Sequence, residues 1–194
     1  MVRRTFLALA VLAIVAPTYL SPAYSAELEI GTHAPDFKAL PGVDGKQYSL
    51  DEMKDAKVVV VCFTCNRCPV AVAYEDRFVE FSKKYAGKGV KFVAINANRK
   101  TEDLGAMKTR AEEKGFNFPY VFDKSGKLAT EYGARVTPHI FVLDQSRNVA
   151  YVGAFDDDQE KPTKHYVEDA VDALLNGKTV STKHSKAFGC GIAN

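Results

Sequence analysis

Cys65 and Cys68 are separated only by Asn66 and Arg67. A disulfide between them would close a ring too small to restrain much unfolded-chain entropy, so the pair is a poor staple and a good redox switch. An apolar run of strand length, residues 58–63, leads into the pair, and Pro69 follows it directly. Proline suits the first turn of a helix because it has no N–H to leave unpaired. A thiol at a helix N-terminus meets unpaired N–H groups and the positive end of the helix dipole, both of which favour the thiolate. This reading makes Cys65 the nucleophile, with the Arg67 charge stabilising its thiolate. Cys68 then attacks the mixed disulfide on Cys65 and releases the partner. The chemistry is thiol–disulfide exchange, and it calls for no cofactor.

The other two cysteines differ in kind. Cys62 lies inside the apolar run and reads as a small buried hydrophobe. Cys190 sits in a C-terminal tail, residues 181–194, either as a third redox thiol that reaches the dithiol or a partner, or as an unpaired tail cysteine. A lone Cys-x-x-Cys supplies two ligands where structural zinc takes four, and no second pair exists. Asp156, Asp157, Asp158 and Glu160 lack the ligand spacing and turn glycine of a calcium loop, so they read as a solvated loop.

Several elements have to position the thiols. Asp44-Gly45 reads as a turn between two short strands, and residues 51–55 as one helical turn before the central strand. Val70, Tyr74, Phe78, Phe81 and Tyr85 recur at helical spacing until Gly87, the apolar stripe of a helix laid on a sheet. A strand over 90–96 follows, then a helix capped by Thr101 with Leu104, Met107 and Ala111 inside, stopped by Gly115. Residues 120–122 read as a strand, 128–132 as a short helix, and 139–143 with 149–153 as a hairpin. Thr163 caps a last helix with Val167, Ala170, Val171, Leu174 and Leu175 inside. Helices alternating with buried strands imply an α/β fold, a mixed sheet with helices on both faces and an N-terminal β-hairpin extension.

Arg3 and Arg4 precede an uninterrupted apolar run over 6–16, short of the roughly 20 residues that span a bilayer. That is the pattern of a cleavable secretory signal over 1–26, with cleavage after Ala23, Ser25 or Ala26, and of a periplasmic or secreted protein without a membrane span. No cysteine closes the run to carry a lipid. Without residues 1–26 the chain holds 24 basic and 24 acidic residues, which argues against a nucleic-acid or anionic-membrane surface. The remaining length suits one domain over 27–180 plus the tail.

The dithiol, helix, strand, helix and Thr137-Pro138 opening a strand together resemble the thioredoxin fold. The segments over 31–37 and 139–144 resemble its redoxin branch, the alkyl-hydroperoxide-reductase/thiol-specific-antioxidant superfamily. Cys65-Asn66-Arg67-Cys68-Pro69, Tyr74-Glu75-Asp76-Arg77 and Gly189-Cys190 are similar to motifs of its peroxiredoxin-like members, and the likeness covers residues 29–192. The resemblance implies a cis Thr137-Pro138 peptide whose backbone faces the dithiol and pairs with substrate. The expected partners are a disulfide-containing protein or small thiol and a separate redox partner that recharges the dithiol. Two alternatives stay open. In a thiol peroxidase Cys68-Pro69 would be the peroxidatic pair, although Cys65 and Val61 stand where such enzymes carry Thr and Pro. In a copper chaperone of this fold His139, His165 or His184 would join the two cysteines. The thioredoxin type also buries an acid on the central strand, which here is apolar over 58–61, so Glu75 and His139 are the candidates for tuning and proton transfer.

Overall fold

The computed structural model describes residues 26–192, so the export-signal reading lies outside it except for Ala26. Asp44-Gly45 does turn the chain between β1 (Leu40–Pro41) and β2 (Gln47–Tyr48), with Gly45 at φ 79°, a left-handed conformation in which a side chain would be strained. A 3-10 turn over Leu50–Met53 then leads to β3 (Val58–Thr64), all seven residues of which are buried.

The chain continues as α1 (Pro69–Tyr85), β4 (Val90–Asn96), α2 (Leu104–Lys114), β5 (Tyr120–Phe122) and α3 (Lys127–Tyr132). It ends as β6 (Val136–Thr137), β7 (His139–Leu143), β8 (Val149–Gly153), α4 (Tyr166–Leu175) and β9 (Cys190–Gly191). Five strands form one sheet in the order β5-β4-β3-β7-β8. β3 pairs in parallel with β4 and antiparallel with β7, so the sheet is mixed and β3 lies at its centre. A strand buried on both faces needs no alternation of polar residues, which accounts for its run of four valines.

Alternate residues of β3 feed two cores. Val58, Val60 and Cys62 pack with residues of α1, α2 and α4, while Val59, Val61 and Phe63 pack with α3 and the N-terminal segment. The sheet is therefore covered on both faces. On α1 the stripe residues Tyr74, Phe78, Phe81 and Tyr85 are all buried, each contributing roughly 1.5–3 kcal/mol of apolar burial. This packing holds the N-terminus of α1 against the end of β3. Cys62 is fully buried in the same core, as a small hydrophobe.

Two helix caps differ from the sequence reading. Asp103, not Thr101, caps α2, accepting the Ala106 N–H at 2.8 Å. Thr163 does not cap α4; its hydroxyl donates to Asp157 at 2.6 Å, and His165 takes the N-cap position without a side-chain bond. In both places more than one polar residue precedes the helix, and the turn of the preceding loop decides which reaches the free N–H groups.

Candidate active site

Cys68, not Cys65, occupies the N-cap of α1, and its sulfur accepts the Ala71 N–H at 3.5 Å. This corrects the expectation that Cys65 holds the helix tip. Pro69 as first helical residue fixes the cap one position before it, and Cys65 remains in the loop that leaves β3. Both sulfurs converge on Thr137. Cys65 Sγ lies 3.4 Å from its hydroxyl, and the Cys68 thiol donates to its carbonyl at 3.0 Å. The Thr137-Pro138 peptide is cis.

The electrostatics follow the same division. Burial pushes the Cys65 thiol up, outweighing the Thr137 hydroxyl and the N–H groups of Arg67 and Cys68, and the nearby Glu102 charge adds to the rise. Burial also acts upward on Cys68, but the Cys190 thiol, the Ala71 N–H, the Thr137 hydroxyl and the Cys190 N–H together bring it below its ordinary value. The sulfur favoured as thiolate is Cys68.

The tuning candidates sit elsewhere. Arg67 is exposed and its guanidinium reaches the Thr101 carbonyl at 3.4 Å, so it acts on Cys65 only through its backbone N–H. Glu75 is buried in a bidentate pair with Arg110, 2.9 and 2.6 Å, that ties α1 to α2. His139 is buried on the sheet face of Phe141, opposite α1; its Nδ1 accepts the Arg135 N–H at 3.3 Å and its Nε2 lies 2.8 Å from Glu27. Residue adjacency in the chain brought these groups to notice, but the direction of each side chain takes it away from the sulfurs.

The acid beside the dithiol is Glu102, which the sequence reading missed. Buried in the loop before α2, it accepts the Asn66 N–H at 2.9 Å and the Asn96 side-chain amide at 2.8 Å. Tyr120 donates to the Asn66 side-chain oxygen at 2.8 Å. The loop between the cysteines is thus held from beneath by a carboxylate, an amide and a phenol. The one available signal was an acid next to the Asp103 cap, and that alone does not say where the loop folds.

β9 pairs antiparallel with β6, placing Cys190 opposite Thr137. The Cys190 N–H donates to Cys68 Sγ at 3.2 Å while its own side chain is exposed. Among the described residues no group of three or more His, Cys, Asp or Glu is arranged to hold a metal ion. His165 and His184 do not complete a copper set: one stands at the start of α4 and the other 4.0 Å from Glu27. Asp156 is not solvated as expected but buried, accepting from Tyr74 at 2.5 Å and Arg77 at 2.7 Å.

Residues 29–174 match the Redoxin family profile. Among curated proteins, peroxiredoxin-2 of Pongo abelii is 29% identical over 140 residues, 68% of this chain and 72% of that protein. A solved hypothetical protein from Sinorhizobium meliloti 1021 superposes with a TM-score of 0.82 at 37% identity, over 87% of this chain and 96% of the other. A thiol:disulfide interchange protein of the thioredoxin family from Chlorobium tepidum TLS gives a TM-score of 0.61 at 25% identity, over 77% and 99% of the two chains.

Proposed function

The chain belongs to the redoxin family, and from that premise we propose that it is an exported thiol–disulfide oxidoreductase working through a Cys65–Cys68 couple. The observation that carries the reading is the meeting of both sulfurs at Thr137, beside the cis Pro138 peptide. A thiolate and a thiol held at one residue can close into a disulfide and reopen without rebuilding the fold. The roles are the reverse of those expected from sequence. Cys68, the acidified sulfur, attacks one sulfur of a protein or small-molecule disulfide, and the other sulfur leaves as thiolate. Cys65 then gives up its proton and attacks the Cys68 mixed disulfide, closing the Cys65–Cys68 bond and releasing the second half of the substrate.

The basic and apolar N-terminal pattern supports delivery to the periplasm or the medium. There a separate redox partner recharges the couple. The balanced charge of the chain without residues 1–26 favours protein or small-thiol partners over nucleic acid or membrane.

Titration of wild type, Cys65→Ser and Cys68→Ser against a glutathione redox series tests this. Wild type should show a two-electron transition that forms the Cys65–Cys68 bond, which neither variant can form, with exchange activity lowered on the order of 100-fold in each. A second reading, direct peroxide reduction, is favoured by the lowered pKa of Cys68 ahead of Pro69 and by the likeness to a peroxiredoxin. It replaces the first if Cys65→Ser consumes hydrogen peroxide at the wild-type rate and wild type exchanges no disulfide.

A further inference from the structure

Both members of the couple are buried, Cys65 at 5% exposure and Cys68 at 2%. A large partner therefore meets something else first. What lies over Cys68 is the C-terminal segment, and it is built in. Val180 is in the core, and Ser185 accepts the Ala154 N–H at 2.9 Å and contacts the Tyr151 hydroxyl at 2.6 Å. The Phe188 ring lies 6.3 Å from that of Tyr74, and the Ile192 N–H donates to Arg135 at 3.0 Å. Gly189, at φ 146°, lies so close to β6 that a Cβ there would stand 1.9 Å from the Thr137 carbonyl oxygen. The segment ends by pairing with Thr137, and the sulfur it presents outward is Cys190.

We propose that Cys190 is a shuttle thiol that carries electrons between partners in solution and the buried couple by way of a Cys68–Cys190 disulfide. This rests on the dithiol reading given above. With the couple oxidised, Cys190 loses its proton and attacks Cys68. The Cys68–Cys190 bond forms, the Cys65–Cys68 bond breaks, and Cys65 leaves as thiolate and takes up a proton. A thiol from solution, deprotonated, attacks the exposed Cys190 sulfur, and Cys68 leaves as thiolate. A second such thiol, deprotonated, attacks the first thiol's sulfur, and Cys190 leaves as thiolate and takes up a proton. In sum two external thiols become one disulfide, and the couple passes from disulfide to dithiol.

Three features fit this route. The Cys190 N–H already meets Cys68 Sγ at 3.2 Å, and an exposed cysteine can rotate its sulfur toward the bonded geometry. Cys68, held below the ordinary thiol value, is the better leaving group, so attack on the Cys68–Cys190 bond is directed at the accessible sulfur. In the reduced state the hydrogen bond to Cys68, with burial and the Cys68 charge, pushes Cys190 up to about 11. Oxidation of the couple removes that charge, so Cys190 becomes a nucleophile when there is a disulfide for it to attack.

The test is disulfide mapping by non-reducing peptide mass spectrometry after oxidation with glutathione disulfide and alkylation. Cys65→Ser, which leaves β9 untouched, should form an intramolecular Cys68–Cys190 bond in the monomer. Oxidised Cys190→Ser should be reduced by a protein dithiol such as thioredoxin about 10-fold more slowly than oxidised wild type. If wild type forms the Cys65–Cys68 bond but Cys65→Ser carries only a glutathione adduct on Cys68, with Cys190 still reduced, the shuttle is overturned alone. An equal reduction rate for Cys190→Ser does the same. If oxidised wild type contains no Cys65–Cys68 bond, the dithiol reading fails and the shuttle with it.

Discussion

At the scale of single residues, the two thiols differ by three positions in the chain and by opposite shifts in acidity. The Cys65→Ser/Cys190→Ser variant leaves Cys68 as the titrating active-site thiol, and the Cys68→Ser/Cys190→Ser variant leaves Cys65. Followed by thiolate absorbance, Cys65 should titrate above the ordinary cysteine value of about 8.5 because burial dominates. Cys68 loses its Cys190 partner in this comparison, but keeps the Ala71 N–H, and should titrate below Cys65. The opposite order would remove the reason for casting Cys68 as the attacking sulfur. Glu102 is testable at the same scale. In Glu102→Gln the amide oxygen can keep both bonds that Oε2 accepts, from the Asn66 N–H and the Asn96 amide, while the new NH2 faces the Asn98 amide in place of Oε1, costing about 1 kcal/mol in urea unfolding. Loss of its charge should also lower the Cys65 pKa, because that charge helps to raise it. A merely structural Glu102 would cost stability and leave the Cys65 titration unmoved.

At the scale of elements, the site exists because β3, α1 and β6 meet and β9 closes over them. Gly189→Ala introduces a methyl where the Thr137 carbonyl oxygen lies, and imposes a backbone angle that side chains rarely adopt. The two-residue β9 is the part that can give way, since it is bonded only at its edge. Alkylation of Cys68 by N-ethylmaleimide should then speed up on the order of 10-fold, with the main unfolding transition little changed. An unchanged alkylation rate would mean that β9 does not cover the dithiol in solution. The Glu75–Arg110 pair has a different role, clamping α1 to α2 beneath the site. Arg110→Ala leaves a buried carboxylate with only Lys114, 3.9 Å away, for company, and should cost roughly 3 kcal/mol in urea unfolding. Glu75→Gln/Arg110→Met removes the charges together and should recover much of that loss, as expected for a pair whose value lies in being complete.

At the scale of the whole molecule, what was legible from the chain is what short-range pattern encodes. The unbroken apolar run of β3, the helical stripe of α1 and the alternation of strands with helices all follow from periodicity, and the mixed sheet with helices on both faces follows from them. Glu102, the buried Asp156 and the β6–β9 pair were not legible. Each depends on a distant segment folding back, and two residues flanked by glycine carry no strand period. His139 shows the same limit in reverse, being close to Pro138 in sequence yet committed to the N-terminal segment. That segment crosses the molecule. Its Leu28, Gly31 and Ala34 N–H groups donate to Tyr132, Val149 and Arg147, and Gly133 leaves no room for a Cβ against Glu27. The Glu27 carboxyl is held below its ordinary value, chiefly by the His139 hydrogen bond, against burial and with the help of nearby positive charge. A carboxylate whose folded pKa is depressed stabilises the fold above the unfolded value, about 4.3, and loses that contribution as pH falls through the folded value. Glu27 is partly exposed, so solvent screening leaves a contribution of about 0.5–1 kcal/mol. Comparing urea unfolding of wild type and Glu27→Gln from pH 7 to pH 3 should show a constant deficit in the variant down to about pH 5 that closes as the pH falls further. The absence of a deficit at every pH would mean that the N-terminal segment is held by its backbone bonds alone.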